Sequence, residues 1–183
     1  MNGLAGVRWG RLTAHSDARG SFREIWRRST HPALDEPLTG RPDAAFVQAN
    51  LSTSAAGVLR GMHYHRRQLD HWVVLGGRAF VALVDVRAAA AGRGGAAVET
   101  RELATDETVT IPTGVAHGFL ALEPLQLLYL VTNEYDGTDE LGFAWDDPAV
   151  GIDWPTVDGR TPILSDRDRR NPALRELVAT LGG

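Results

Sequence analysis

The chain has 183 residues, 43% of them hydrophobic, which suits a single domain over residues 1–183 with a core of its own. Nineteen basic against 23 acidic residues leave a formal charge of −4, which offers no polyanion-binding surface and argues against a nucleic-acid partner. There is no cysteine, hence no disulfide, thiolate metal site or cysteine nucleophile, and no lysine. No apolar run approaches the ~18 residues of a membrane span, and the N-terminus lacks the basic-then-apolar order of a signal peptide, so a cytoplasmic protein with no membrane partner is expected.

In chain order the sequence predicts short strands separated by turn residues: GVRWGRL at 6–12, GSFREIW at 20–26, AFVQANLS at 45–52, GVLRGMHYH at 57–65, HWVVLGG at 71–77, AFVALVDV at 79–86, VETRELA at 98–104, TVTIPTG at 108–114, HGFLAL at 117–122 and LQLLYLVTNEY at 125–135. That spacing predicts a mainly β, antiparallel barrel or sandwich. WVVLGG and RAFVALVDV meet at Gly76-Gly77, whose positive φ suits a tight hairpin. Ala88–Ala97, AAAAGRGGAA, reads as a flexible surface loop. A helix is expected only at the end, where Asn171-Pro172 supplies a cap and first-turn proline ahead of ALRELVATLGG.

The stretch Val58–Gly77, with IPTGVAHGF at 111–119, carries the chemistry. It sets Arg60, His63, His65, Asp70 and His117 on apolar runs, as a β-barrel presents polar groups to its own interior. Residues two apart in a strand share a face, so His63 and His65 point together and Tyr64 points away. Gln48 and Asn50 likewise share a face, an amide pair suited to hydroxyl recognition or to strand-edge hydrogen bonding.

Arg60-Gly61-Met62-His63, followed far downstream by Pro112-x-Gly114-x-x-His117, resembles the two barrel motifs of the cupin superfamily. More narrowly, the chain resembles the dTDP-4-dehydrorhamnose 3,5-epimerase family almost end to end. The matching segments are DARGSFREIW (17–26), FVQANLSTSAAGVLRGMHY (46–64), FVALVDVR (80–87), IPTGVAHGFLAL (111–122), YLVTNEY (129–135), DDPAVGIDWP (146–155) and LSDRD (164–168). The resemblance implies a cupin-type jelly roll with a short C-terminal helix, acting as a homodimer without a cofactor. It also implies removal of protons beside the C4 ketone of a dTDP-4-keto-6-deoxyhexose and their return on the opposite face, at C3, C5 or both. His63 falls at the family's base, Asp168 at its orienting carboxylate and Tyr135 at its acid. Arg19 and Arg60 match arginines that hold the sugar diphosphate, a task suited to guanidinium groups. Phe22 and Glu24 match groups contacting the nucleotide from the neighbouring subunit, and His117 is expected to point inward.

The chain departs from that pattern after His63. Typical members have a glutamine and then a lysine, which stabilises the enolate oxygen; here RRQLDHWVV has Gln68 and then Asp70. A carboxylate beside a developing oxyanion raises the barrier. Either Arg66, Arg67 or His71 takes over, or Asp70 turns away, or the chemistry is altered. Asp70 also opens a rival reading, in which His63, His65, Asp70 and His117 hold one divalent metal in a metal-dependent cupin enzyme. A His63 whose lone pair is on a metal cannot also abstract a carbon-bound proton. A 3,4-ketoisomerase on a similar nucleotide sugar and a nucleotide-sugar-binding homologue without catalysis are the remaining alternatives.

Overall fold

Strands whose side chains alternate between two environments need a partner layer on each apolar face, and here they find it in two stacked antiparallel sheets. A computed structural model describes residues 3–29, 36–41, 44–135 and 137–182. The strands are β1 Arg8–Arg11, β2 Ala14–Asp17, β3 Gly20–Arg23, β4 Gln48–Ser54, β5 Leu59–Tyr64, β6 Asp70–Gly76, β7 Arg78–Asp85, β8 Ala97–Ala104, β9 Glu107–Ile111, β10 Val115–Ala121, β11 Leu125–Val131 and β12 Leu141–Gly142. The helical segments are α1 Glu36–Thr39, α2 Arg87–Ala90, α3 Asp166–Arg169 and α4 Leu174–Leu181. One sheet has the order β1-β9-β6-β11-β4 and the other β12-β5-β10-β7-β8, while β2 and β3 pair as a separate ribbon.

From β4 to β12 every connection but one changes sheet, the exception being β7 to β8, which pair from Arg78↔Ala104 to Asp85↔Ala97. This is a jelly-roll sandwich with open edges rather than a closed barrel. Gly76-Gly77 is therefore not the turn of a hairpin: β6 and β7 lie in different sheets and the glycines turn a corner between them. Gly77 has φ +86°, and a Cβ there would stand 2.2 Å from the Pro124 carbonyl oxygen, so both the conformation and the space require glycine. The strand β2, the sequence AHSD, was not among the expected strands.

Between the sheets, Trp72, Val74, Val81, Leu83, Ile111, Phe119 and Leu127 form the main core. The outer face of the second sheet is buried as well: Met62, Tyr64, Ala82, Val84 and Ala116 pack against Phe143 and against Leu174 and Leu177 of α4. Each buried Val, Leu, Met or Phe side chain contributes about 1.5–3 kcal/mol by leaving water. Burial on both faces explains why β10 is buried at every position and reads as an apolar run interrupted only by His117. Helix α4 starts later than Asn171-Pro172 suggests. Its flanking residue, Ala173, has no capping side chain, and the Leu174 N–H is taken instead by Asp147 Oδ2 at 2.7 Å, a carboxylate from a distant loop. The alanine-rich segment is not structureless throughout, since it opens with the helical turn α2. Among the described residues no helix is long and apolar enough to cross a membrane.

Candidate active site

At one end of the sandwich the apolar core gives way to a polar cavity of about 310 Å³. Alternation decides what enters it: Met62 and Tyr64 face the outer layer, so His63 and His65 face in, and Ala116 faces out, so His117 faces in. Asp70 and Trp72 enter from β6, Tyr129 from β11 and Asn50 from β4. His63 and His117 are register partners. Their strands approach closely because Gly61 and Gly118 meet there; a Cβ on Gly118 would lie 2.8 Å from Met62 Sδ and 2.9 Å from the Arg60 carbonyl oxygen.

His63 Nε2 lies 2.8 Å from Asp168 Oδ1, joining residues 105 apart in sequence. Asp168 is 4% exposed and its other oxygen accepts a hydrogen bond from Ser165 Oγ at 2.9 Å; the same hydroxyl accepts from the Asp168 N–H at 3.1 Å. Burial pushes the Asp168 carboxyl up, but the hydrogen bond and charge of His63, with Ser165 and Arg167, outweigh it and hold the carboxyl below its ordinary value. An ionised carboxylate at Nε2 fixes the proton there and leaves the lone pair on Nδ1. The His63 side chain is 25% exposed, so the cavity reaches it.

His65, Asp70 and His117 form a second, fully buried group beside this dyad, with one ligand atom of each within 4.8 Å of the others. Of the four candidate ligands His63, His65, Asp70 and His117, the cluster brings together the last three, and His63 is not in it. Asp70 does not turn away, because it lines the cavity and accepts hydrogen bonds from Gln68 Nε2 at 2.8 Å and Trp72 Nε1 at 3.1 Å. The proposed substitutes for the lysine point elsewhere. Arg66 donates to the Thr180 carbonyl at 3.0 Å, Arg67 donates to Thr138 Oγ1 at 3.2 Å, and His71 faces the outer side of its sheet, 2.9 Å from Thr110 Oγ1. Burial, only partly offset by the Asp70 charge, lowers His117 to about 4, so the ring is neutral at physiological pH.

Tyr135 stands at the cavity mouth, 71% exposed. Its N–H donates to Gln48 Oε1 at 3.1 Å, and Gln48 Nε2 donates to Asn50 Oδ1 at 2.9 Å, so the amide pair ties the Tyr135 segment to the cavity wall. Arg60 lies at the rim, its guanidinium on Ser54 Oγ and the Thr53 carbonyl. Arg19, Phe22 and Glu24 are not in this cavity. Arg19 is paired with Asp17 in an exposed turn, Glu24 is paired with Arg27, and Phe22, 69% exposed, lines a separate groove with Glu24. Sequence reasoning missed Ser165, Tyr129, Glu140 and Arg167. Burial raises the Tyr129 phenol, keeping it a proton donor inside the cavity, and Arg167 lines the wall while bonded to Glu140 Oε2 at 2.8 Å. The motif LSDRD carried a signal for Ser165, which stands three residues ahead of Asp168 at N-cap spacing.

A family profile described as dTDP-4-dehydrorhamnose 3,5-epimerase matches residues 2–176. A dTDP-4-dehydrorhamnose 3,5-epimerase of Mycobacterium tuberculosis is 34% identical over 179 residues, covering 92% of this chain and 83% of the relative. The structure of a dTDP-6-deoxy-D-glucose-3,5-epimerase from Legionella pneumophila, in complex with dTDP-4-keto-L-rhamnose, superposes with a TM-score of 0.81 at 30% identity, covering 98% of this chain and 94% of that one. A 3'-monoepimerase from Streptomyces bikiniensis, in complex with dTDP-quinovose, gives 0.80 at 28% identity, covering 100% and 91%.

Proposed function

The chain belongs to the dTDP-4-dehydrorhamnose 3,5-epimerase family, and from that premise we propose that it epimerises a dTDP-4-keto-6-deoxyhexose at C3, C5 or both, with His63, Asp168 and Tyr135 as its proton-transfer machinery. The observation that carries the assignment is the His63–Asp168 contact of 2.8 Å, a histidine reachable from the cavity backed by a buried, ionised carboxylate.

His63 Nδ1 takes the proton from a carbon beside the C4 ketone. The C–H electron pair moves into the carbon–carbon bond and the ketone oxygen takes the negative charge. The ring is then an imidazolium, which Asp168 stabilises. The Tyr135 phenol gives its proton to the same carbon from the other face as the enolate collapses to the ketone. The proton held by His63 returns through solvent to the phenolate, so no atom is gained or lost. Arg60 at the rim holds the diphosphate, and Asn50, positioned by Gln48, bonds the sugar hydroxyls.

The active unit in this proposal is a homodimer. The ribbon β2–β3 pairs only with itself among the described strands and leaves Arg19 and Phe22 exposed, well placed to reach a neighbour's nucleotide site. A fully active monomer by sedimentation at assay concentration overturns that part. The function is tested by NMR of the 4-keto sugar in deuterated water with the protein added. Deuterium uptake at C3 or C5 with inverted product is expected; binding without exchange refutes the proposed reaction.

A further inference from the structure

We propose that His65, Asp70 and His117 bind one divalent transition-metal cation beside the His63–Asp168 dyad. The inference rests on the reading above for its catalytic meaning, and on geometry for the site itself. The three side chains come from β6, from β10 and from the residue that follows β5, are 3%, 4% and 7% exposed respectively, and bring one ligand atom each to within 4.8 Å of the others.

What converges there is an excess of electron pairs. His117 Nδ1 faces the Val115 carbonyl oxygen at 3.4 Å and its Nε2 faces Asp70 Oδ2 at 3.8 Å, so an acceptor stands on each side of the ring. His65 Nδ1 lies 2.8 Å from the Asp139 carbonyl oxygen, which fixes its proton on that nitrogen and leaves Nε2 a lone pair. The hydrogen bonds that Asp70 accepts come from an amide and an indole, both neutral, so the buried carboxylate has no cation among these donors. A cation answers all three at once.

The surroundings match those of ligated residues. Imidazole N–H groups held by backbone carbonyls and a carboxylate held by neutral donors are the usual supports of metal ligands. Two imidazoles and one carboxylate suit zinc, iron, cobalt or nickel, whereas calcium and magnesium prefer oxygen throughout. Bonds of about 2.0–2.2 Å require the ligand atoms to close to about 3.5 Å from one another, a movement of an ångström or so for side chains. Three protein ligands leave positions open to the cavity. A cation bound there supplies positive charge in a site whose sequence contains no lysine and whose Arg167 is already paired with Glu140. Because His63 is outside the cluster, metal binding and base catalysis no longer compete for one lone pair.

The experiment is titration of EDTA-stripped protein with cobalt chloride, followed by visible absorption and calorimetry. One cobalt ion per chain is expected, with d–d absorption and a raised thermal midpoint. Asp70→Asn and His117→Gln should weaken binding by roughly 100-fold or more, while His63→Asn binds as the unaltered protein does. No binding of cobalt or zinc by the unaltered protein at about millimolar metal overturns the site, as does undiminished binding in folded Asp70→Asn. Equal proton exchange with and without cobalt overturns the cation's part in the reaction but leaves the epimerase reading standing. Binding that depends on these three residues, with no exchange under any condition, supports the site and removes the epimerase reading instead.

Discussion

Replacing Asp168 by asparagine tests the dyad at its least exposed point. The carboxylate stands 2.8 Å from His63 Nε2 and stabilises the imidazolium formed when the substrate proton is taken. At an effective dielectric constant of about 20 that attraction is about 6 kcal/mol, and the partial exposure of His63 reduces it to about 3–5 kcal/mol. Asparagine removes the charge, and its amide N–H groups can face Nε2, which draws the ring proton to Nδ1 and blocks the lone pair needed by the base. The expected loss in kcat is roughly 100- to 5,000-fold. Asp168 does not line the cavity, so KM should move by less than about threefold. Steady-state kinetics and deuterium uptake at C3 and C5 read both quantities, with a thermal midpoint measured alongside to separate chemistry from folding. A kcat within about threefold of the unaltered enzyme, or a raised KM at constant kcat, refutes the role given to Asp168.

Tyr135→Phe should suppress inverted product while exchange with retention continues through the same enolate; equal loss of exchange and inversion would mean that the phenol positions substrate instead. Gly77→Ala places a Cβ 2.2 Å from the Pro124 carbonyl oxygen at φ +86° and should cost at least about 2 kcal/mol in urea unfolding, an unchanged midpoint refuting the corner geometry. Burial pushes the Asp85 carboxyl up, but its hydrogen bonds with Arg87 hold it below the ordinary value. The folded state therefore binds fewer protons than the unfolded one at acid pH. This contribution to stability is complete above about pH 4 and is lost as pH falls through the lower, folded value. Asp85→Asn should flatten unfolding free energy against pH in that window, and an unchanged slope refutes the linkage.

The inward set of side chains was legible because strand alternation is a local steric rule. Once VLRGMHYH is a strand, His63 and His65 must share the face opposite Met62 and Tyr64, whatever else the chain does. The mainly β class followed from the same rule repeated. Resemblance, not pattern, pointed to Asp168, since no local regularity links residues 105 apart. Positive φ within Gly76-Gly77, found at Gly77, was foreseeable, but a hairpin and a corner between sheets make the same local demand, and only the packing of β6 and β7 into opposite layers separates them.

The order of chemical groups along the chain and the faces they take are determined by the amino-acid sequence itself, through alternation, turn chemistry and the absence of lysine. The tertiary structure decided which of those groups meet. It gave His63 to Asp168 and left His65, Asp70 and His117 together, and it capped α4 with Asp147 from a loop 27 residues earlier. The physical reason is that such pairings depend on how two sheets stack and where the chain crosses between them, and those contacts are stabilised by burial summed over the whole sandwich rather than by any local stretch of sequence.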